Sequence, residues 1–451
     1  MWSHSYHNEF YCEGMNSITG FQLDHPHSPD HIVSPLTATE VAAAVRSELR
    51  SRAPRIAVQS TGHGRTSGMR SGTLIDTSRM NDVAIDPSAR TVTAGAGARF
   101  AEVMAAAAPH GLAPLSGSFP GVGIAGYSLS GGVGLLSRKY GFAADNVLSA
   151  EIVTPDGEIR MTSAQENPEL FWALRGAGSN FGIVTSLTMR VFPIAEVLGG
   201  SIEIDLRASP QAGQVWREWA MGQGRDMMTA AAICSAPTTA ADLPALLRGI
   251  HQLRIQIAWS GETELGRAQV ALLERALVAA GAEFASSIDV VPFARTGEIF
   301  AEPDEPHSYA SDAFFLPELG EQTTANLIAA SSPDRVPCFT VIGLRLLGGA
   351  MAKAPEIANA LGHRDATWLF SVLSPLNEVE ETPLAHHLTI AGELGAPETG
   401  DAPLGRSLNF TFRSLTAEEI TSAFEPDDLT RLRSLRDHFD PRRVMLAQFA
   451  V

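Results

Sequence analysis

Residues 55–78 read RIAVQSTGHGRTSGMRSGTLIDTS, a glycine-rich loop between two short runs of mostly aliphatic residues. The two ends, RIAVQS and TLIDTS, have the composition of β-strands, so TGHGRTSG is predicted to connect two strands. His63 lies between Gly62 and Gly64 in this loop. Because glycine permits positive φ and close backbone approach, such a loop can surround an anionic group with N–H donors. The pattern fits either a ligand-binding loop or an ordinary tight turn with an exposed histidine, and composition alone leaves both open.

The sequence around this loop predicts a first module of interleaved helices and strands that ends near Pro193. A capping-box pattern from Thr37 to Glu40 precedes an apolar stretch with helical spacing. Turn residues between alternating apolar and polar residues indicate hairpins. The elements lack a strict βαβ repeat. They are predicted as hairpins at 83–97 and 148–163, helices at 99–111 and 167–174, and a strand at 181–192.

Beyond Pro193 the predicted strands and helices become longer, which indicates a second domain of the α+β class. Its strands are SIEIDL, HQLRIQIAWS and CFTVIGLRLL, and helices are predicted for ELGRAQVALLERALVAAG and for the segment 415–439. The predicted organisation is an N-terminal segment at 1–30, a first domain at 31–195, a second domain at 196–410 and a C-terminal segment at 411–451 that returns to the first domain.

The N-terminal segment is polar and rich in histidine. Clustered histidines can bind a metal, but the spacing here is irregular and no cysteine or carboxylate repeats with it. We therefore interpret the segment as solvated or loosely packed, without chemistry and without a metal site. The histidines are His4, His7, His25, His27 and His31.

Composition excludes several classes of protein. The chain has 451 residues, of which 45% are hydrophobic and 18% charged, a balance typical of a globular enzyme and not of a disordered chain. Its 33 basic and 50 acidic residues give a net charge of −17, which disfavours nucleic acid and anionic membranes as partners. Three separated cysteines suggest neither a disulfide framework nor a zinc site. With no signal-peptide pattern and no apolar run that could span a bilayer, we expect a cytoplasmic location.

A second glycine-rich stretch, GVGIAGYSLSGGVG at 121–134, contains the dinucleotide-binding pattern G-x-G-x-x-G. The context does not fit that motif, because no clear strand precedes it and more glycines follow where the helix should continue. We reject the Rossmann interpretation. The stretch is either a second surface lined by backbone or a glycine-rich connection.

Several ordered motifs carry a resemblance to one family. QSTGHGRTSG, LIDTSRMNDVAID, TVTAGAGARFAEV, PLSGSFPGVGIAGYSLSGGVG, RKYGFAADNVLSAEIVTPDG and NPELFWALRGAGSNFGIVTSLTMRVFP follow one another up to Pro193. Weaker matches follow in LLGGAMAKAPEIANALGHRDA, SLNF and the Asp-Pro of the last helix region. This order resembles the FAD-linked oxidases of the vanillyl-alcohol-oxidase and berberine-bridge-enzyme type, close in style to 6-hydroxy-nicotine and antibiotic-tailoring oxidases.

The resemblance implies a two-domain fold, with a PCMH-type FAD-binding domain and an α+β substrate domain whose antiparallel sheet is flanked by helices. It implies that a ring nitrogen of His63 bonds covalently to the 8α carbon of FAD. Many relatives add a second tether from a Cys before a Pro; here Phe119 precedes Pro120, so a single attachment is expected, with none of the three cysteines available. The small Val122 matches relatives that react with oxygen.

The resemblance also assigns residues around the cofactor and the substrate. Counting between motifs places Lys353 on a strand facing the flavin. There it is a base, or a cation that holds an anionic substrate or the reduced flavin. The alternative is an exposed lysine on a strand. Asn409 matches a substrate-facing Asn and is, with Lys353, a predicted catalytic residue, although Ser407 stands where relatives carry Tyr. Glu356, His363 and Arg364 lie nearby, the last two with structural roles. The predicted cofactor-binding residues are Ser60, Thr61, Gly62, His63, Gly64, Gly68, Gly121, Val122, Gly126, Tyr127, Asn146 and Ile183.

Three functions follow from these expectations. The first is an oxidase that transfers hydride from a small organic molecule, such as a secondary metabolite, to the flavin and passes the electrons to O2 to give hydrogen peroxide. The second is a flavoprotein that binds and reoxidises a reduced antibiotic quinone, as self-resistance. The third is a noncovalent FAD fold used only for binding. The expected partners are the substrate and O2, and the chain is expected as a monomer or homodimer.

Overall fold

A computed structural model of the protein describes residues 18–239, 243–376, 381–395 and 400–451. His4, His7 and Cys12 lie outside these ranges. The described chain forms two small sheets in its first part and one large sheet in its second part. The predicted combination of an FAD-binding domain with an antiparallel α+β domain is confirmed by this architecture.

The smallest sheet carries the glycine-rich loop of residues 60–72. Strands β1 (His31–Val33), β2 (Ile56–Gln59) and β3 (Thr73–Asp76) pair in parallel in the order β1-β3-β2. Helix α1 (Ala38–Glu48) connects β1 to β2, and its first turn is capped by the Thr37 hydroxyl, which accepts from the Glu40 N–H. The loop starts where β2 ends at Gln59 and finishes where β3 starts at Thr73. The sheet therefore fixes both ends of the loop.

A five-stranded antiparallel sheet forms the rest of the first domain. Its order is β4-β5-β8-β6-β7, so the last strand inserts between the two hairpins predicted from the sequence. The strands are β4 (Val83–Asp86), β5 (Thr91–Gly95), β6 (Val147–Val153), β7 (Ile159–Ser163) and β8 (Ile183–Arg190), and the helices are α2 (Phe100–Ala107), α3 (Ile124–Leu129), α4 (Ser137–Tyr140) and α5 (Pro168–Ala177).

The second domain is a large sheet with its longer helices on one face and the short helix Gly297–Phe300 on the other. The sheet has the order β12-β9-β11-β10-β15-β16-β14-β17, with β13 also paired to β9, and every pairing is antiparallel. Trp216, Leu273 and Leu327 from the helices pack with the sheet in one core. The strands are β9 (Glu196–Asp205), β10 (Met227–Ser235), β11 (His251–Trp259), β12 (Phe284–Ser286), β13 (Asp289–Pro292), β14 (Tyr309–Leu316), β15 (Thr340–Leu346), β16 (Trp368–Pro375) and β17 (Gly405–Arg406), and the helices are α6 (Ala212–Met221), α7 (Thr263–Ala279), α8 (Gly297–Phe300), α9 (Glu321–Ala330) and α10 (Glu381–Ala391).

The C-terminal segment packs against the first domain. It contains α11 (Ala417–Thr421) and α12 (Pro426–Phe439), and the chain then runs beside β2, where Ile56 donates to the Val444 carbonyl at 2.9 Å. The buried Asp440 carboxylate accepts from the N–H groups of Val444 and Met445, which fixes this return. None of the described helices is long and apolar enough to cross a bilayer.

The interpretation of the N-terminal segment as loosely packed is wrong for its described part. Gln22 is 1% exposed and donates to the Tyr309 carbonyl of β14 at 2.5 Å, which joins the segment to the second domain. The Arg65 guanidinium donates to the carbonyls of Asp24 and Gln22. Residues 18–30 therefore cover the glycine-rich loop, an arrangement that depends on contacts distant in sequence.

Candidate functional site

A cavity of about 2250 Å³ lies between the loops of the first domain and the sheet of the second. Common small-molecule pockets occupy about 300–1,000 Å³, so this cavity has room for a large cofactor together with a second molecule. We call its two sides the loop wall and the sheet wall. Residues from the segments 57–70, 117–133 and 176–184 form the loop wall. Residues of β10, β11, β15 and β16, with the N-terminal end of β14, form the sheet wall.

The glycine-rich loop keeps its shape because the N-terminal segment lies against it. Gly62 has a φ of +65°, and a Cβ at this position would lie 2.8 Å from the Gly20 Cα. A Cβ at Gly68 would collide with the Pro26 carbonyl. Glycine at these two positions is therefore required by chain packing, and Ser60, Thr61, Gly62, His63, Gly64 and Gly68 all line the cavity.

The His63 side chain is enclosed by aromatic rings. Its ring centroid lies 4.4 Å from that of Phe21 and 5.5 Å from that of Phe119, the latter nearly parallel. Burial, with a further contribution from the nearby His307, lowers the pKa of His63 to about 4. Its buried Nδ1 has no hydrogen-bond partner within the described residues. The imidazole is thus neutral at pH 7 and has an uncommitted nitrogen.

Two polar side chains hold the backbone on either side of His63's ring. The Tyr309 hydroxyl donates to the His63 carbonyl, and the Gln448 amide donates to the Gly64 carbonyl. Tyr309 belongs to β14 and Gln448 to the C-terminal segment. With the N-terminal segment, three parts of the chain therefore contact the loop. Burial raises the pKa of Tyr309, which keeps its hydroxyl protonated as a donor.

The second glycine-rich stretch forms another part of the loop wall. Gly123 precedes α3, and nothing lies within 4 Å of where a Cβ on Gly126 would stand. Val122, Gly126 and Tyr127 line the cavity as predicted. The stretch therefore offers a surface with open space above it, and it is more than a connection between elements.

Three predicted cofactor residues do not line the cavity. Gly121 faces the Phe119 ring. Asn146 is buried and donates to the carbonyls of Tyr140 and Phe142, so it holds the chain before β6. Ile183 is fully buried in a core with Val153, although its neighbours Gly182 and Val184 reach the cavity. The side chains of Asn146 and Ile183 are therefore structural in the protein alone.

The placement of Lys353 on a strand facing the cofactor is wrong. Lys353 is exposed in the loop after β15, outside the cavity. The sequence between Gly349 and His363 does not form the second strand that the count assumed; it is an irregular segment, and the next strand, β16, starts at Trp368. Lys353 has no place in the site.

Asn409 lines the cavity, but its polar atoms are committed to backbone. Its Oδ1 accepts from the Gly132 N–H at 2.9 Å, and its Nδ2 donates to the Tyr127 carbonyl at 3.1 Å. The residue lies in a short 3₁₀ turn, not on a strand. Ser407, two residues earlier, is buried and outside the cavity lining.

The other polar residues noted near Lys353 make structural contacts. The Arg364 guanidinium pairs with the Asp145 carboxylate at 2.6 Å, and His363 Nε2 lies 2.9 Å from the Ser422 carbonyl. Glu356 forms an exposed ion pair with Arg190 at 2.7 Å. These contacts fix the irregular segment to the first domain.

The sheet wall presents short side chains at its centre and longer polar ones around them. The register places Arg345 of β15 beside Ala230 of β10, and Ala230 beside Gln256 of β11. The next row toward the open side contains Arg254, Ala232 and Gly343. Registered neighbours point to the same face, and all six line the cavity.

Sequence reasoning missed the sheet wall and the N-terminal contribution. Phe21, Tyr309 and Arg345 line the cavity, yet each comes from a different element and none belongs to a recognisable motif. Cys234 and Cys338 also line the cavity, from β10 and just before β15, and burial raises the pKa of Cys234 to about 11. The only sequence signal was on β15, where alternate residues are large and apolar.

Comparison with known proteins identifies the domain that contains most of the loop wall. Residues 29–163 match a family model described as an FAD binding domain. (R)-6-hydroxynicotine oxidase from Paenarthrobacter nicotinovorans is 38% identical over 192 residues, which covers 42% of this chain and 42% of that protein. The chain thus aligns with less than half the length of this curated relative.

Two solved structures share the whole fold. A chitooligosaccharide oxidase superposes with a TM-score of 0.80 at 20% identity, covering 96% of this chain and 92% of that one. Glucooligosaccharide oxidase from Acremonium strictum, described with a 6-S-cysteinyl, 8α-N1-histidyl FAD, superposes with a TM-score of 0.78 at 20% identity, covering 96% and 94%. These superpositions confirm the fold that the resemblance implies.

Proposed function

We propose that this chain, which belongs with the PCMH-type FAD-linked oxidases by its FAD-binding domain and its fold, is a covalent flavoprotein oxidase of a small organic molecule. The attachment point is His63. The observation that carries the proposal is the neutral, enclosed His63 imidazole with an unpartnered nitrogen on a glycine-rich loop beside a large cavity. The substrate is a small organic molecule whose electrons pass to O2, with release of hydrogen peroxide.

The residues of the loop wall fit FAD. A neutral imidazole is the nucleophilic form of histidine, and the low pKa of His63 keeps it in that form at pH 7. The open space above Gly126 admits a flat group close to the backbone. Phe119 stacks beside His63 and has no nucleophilic atom, which supports a single tether. Bound FAD supplies a two-electron acceptor at this wall.

The remaining residues bind, orient and exclude water. Ser60, Thr61 and the glycines of the loop present backbone and hydroxyl donors of the kind that bind phosphate groups. Tyr127 and Tyr309 are kept protonated by burial, which raises the pKa of each phenol, so they act as donors and not as bases. Val122 leaves a small side chain beside the cavity, which supports access of O2.

The attachment is tested by acid precipitation of the purified protein. We expect the yellow colour to remain with the denatured wild-type protein, and the intact mass to exceed that of the chain by one FAD. In His63→Ala the colour should pass entirely to the supernatant. His307→Ala is the matched control, because this ring belongs to the same aromatic cluster, 5.5 Å from Phe21, and the variant should keep its flavin. A wild-type protein without bound colour contradicts the proposal.

Oxidase activity needs a separate measurement. A panel of small alcohols, amines and oligosaccharides is screened anaerobically for bleaching of the flavin, and active compounds are then assayed for peroxide in air. We expect oxygen to restore the yellow colour with release of hydrogen peroxide. Flavin that is bleached by substrate but restored only by an artificial acceptor would indicate a dehydrogenase.

A further inference from the structure

Arg345 is a positively charged side chain in the middle of the sheet wall. It lies on β15, and its register with Ala230 of β10 directs it toward the cavity. The guanidinium carbon lies 4.8 Å from the Phe300 ring centroid and 4.9 Å from that of Phe410. These two rings hold the guanidinium in place, so that its orientation is set before any ligand binds.

Arg345 forms no ion pair in the part of the chain that the structure describes. No carboxylate oxygen there lies within 4.0 Å of it, and its polar contact is a 3.5 Å hydrogen bond from Nη2 to the Ser118 hydroxyl. Burial lowers the pKa of Arg345, although a guanidinium stays charged at pH 7. The Glu302 carboxylate favours the charged form from a distance and does not contact the guanidinium, so the donors of Arg345 remain available to a ligand.

A second arginine on the sheet wall, Arg254, differs from Arg345 in its contact with a carboxylate. Arg254 of β11 lies one row away and forms an ion pair with Glu203, with 3.6 Å between Nε and Oε1. Arg254 therefore has a carboxylate in contact with it, whereas Glu302 acts on Arg345 only from a distance. The two residues line the same cavity and have the same charge, which makes Arg254 a suitable control.

The surroundings of Arg345 leave space for a molecule. Ala230, Ala232 and Gly343 are its neighbours on the sheet wall and rise little above the backbone. A ligand bound to the guanidinium would lie over these residues and toward the loop wall. The acidic residues that line the cavity, Glu302, Asp304 and Glu305, belong to an exposed loop at its rim.

We propose that Arg345 binds the carboxylate of the substrate, so that the molecule oxidised in this cavity is a small organic carboxylate. The planar guanidinium offers two parallel N–H donors, which match the two oxygens of a carboxylate. The group to be oxidised would then lie between Arg345 and the loop wall. This inference rests on the proposed function, because it names the substrate class of the same site.

The test compares benzoate with its neutral isostere benzamide on the flavin-loaded protein. Each ligand is titrated at pH 7 while the change in the flavin absorption spectrum is followed, after the flavin content of every variant has been measured. For the wild type we expect benzoate to bind at least about tenfold more tightly than benzamide, because hydrogen bonds to charged groups are the stronger ones.

The variants assign the preference to one residue. Arg345→Gln should weaken benzoate binding by about 10- to 100-fold and change benzamide binding by less than about threefold. Arg345→Lys should fall between, because ammonium keeps the charge without the two-donor geometry. Arg254→Gln should keep the preference for benzoate.

Several outcomes would overturn the inference while leaving the proposed function intact. These are a flavin-loaded wild type that binds benzoate no better than benzamide or binds neither, and an Arg345→Gln variant that keeps the preference. A variant that keeps the preference but has a changed flavin reduction potential would show that Arg345 acts on the flavin. A protein that retains no flavin after denaturation would instead contradict the proposed function.

Discussion

The two walls of the cavity recognise their ligands by different means. The loop wall is mostly backbone, supplied by segments with many glycines, and its one reactive side chain is His63. The sheet wall is made of side chains that alternate along β10, β11 and β15, with Arg345 and Arg254 among small residues. A substitution should therefore damage the loop wall by changing the path of the chain, and the sheet wall by changing volume or charge.

The largest effect is expected at Gly62 on the loop wall. Gly62→Val places a β-branched residue at a φ of +65° and a Cβ 2.8 Å from Gly20. A left-handed conformation costs about 1–2 kcal/mol for a residue with a Cβ. Overpacking adds about 1–3 kcal/mol. We expect urea unfolding to show a loss of about 2–5 kcal/mol, together with loss of bound flavin.

Gly126→Leu provides the contrast within the same wall. No protein atom lies within 4 Å of the added Cβ, so the free energy of unfolding should change by less than about 1 kcal/mol. The side chain would nevertheless enter the space assigned to the cofactor, so the flavin content should fall. Equal loss of stability in both variants would show that the two glycines have the same role.

Acid should weaken both walls through buried neutral histidines. Burial lowers to about 4 the pKa of His27, which belongs to the N-terminal segment covering the loop, and it also lowers to about 4 the pKa of His387 of α10, on the helix side of the sheet. The unfolded chain, with histidine pKa values near 6.5, binds more protons than the folded protein between these values. The contribution of these neutral histidines to the free energy of unfolding is therefore complete above pH 6.5 and is lost as the pH falls toward 4.

Single substitutions separate the contributions of the two walls. Each histidine should contribute about 1.4 kcal/mol per pH unit within this window, so His27→Gln and His387→Gln should each reduce the slope of unfolding free energy against pH by about one proton. The slopes of both variants are compared with the slope of the wild type, measured in the same urea series. If His27→Gln and His387→Gln leave the slope unchanged, these histidines have the same pKa in the folded and the unfolded state.

Much of the loop wall could be predicted from the sequence, because its residues are close along the chain. The glycine loop, the second glycine-rich stretch and His63 each carry a local pattern, and they line the cavity. The cover formed by Phe21 and Gln22 could not be predicted, since it depends on contacts with Tyr309 nearly 290 positions away. Asn146 and Ile183 share the motif's spacing, but their side chains pack inside the domain.

The sheet wall could not be predicted in the same way, because each strand supplies only a few of its residues. Arg345 belongs with Ala230 and Gln256 only through the strand register, which sequence spacing does not determine. Lys353 was placed by counting between motifs, and that count failed where the chain is irregular and not a strand. A charged residue in a loop and one on a strand look alike until the pairing is known.

Neighbouring alanines on β10 should respond differently to the same substitution. Ala231 is 1% exposed and packs in the helix-side core, so Ala231→Leu should destabilise the protein by about 1–3 kcal/mol through overpacking. Ala232 points into the cavity, and Ala232→Leu should change stability by less than about 0.5 kcal/mol while raising the KM of the substrate. Urea unfolding and steady-state kinetics measure the two effects, and equal destabilisation would contradict the assignment of the two faces.

Asn409 holds part of the loop wall in place, and a moderate effect is expected there. Asn409→Ala removes the acceptor of the Gly132 N–H and the donor to the Tyr127 carbonyl, so the loss of stability should be about 1–2 kcal/mol. Asn409→Asp keeps the acceptor but places a carboxylate beside the Tyr127 carbonyl, and it should be no more stable than the alanine variant. Both changes should lower the temperature at which flavin fluorescence changes on heating.

The same pair of variants distinguishes positioning from a direct role in the reaction. If Asn409 only holds α3 and the glycines after it, kcat should fall in proportion to the loss of stability, and the pH profile of kcat should keep its shape. A fall in kcat of about 100-fold or more, with the free energy of unfolding unchanged, would correspond to about 2.7 kcal/mol of lost transition-state stabilisation. That result would return Asn409 to the catalytic role expected from the sequence and place the reaction beside α3.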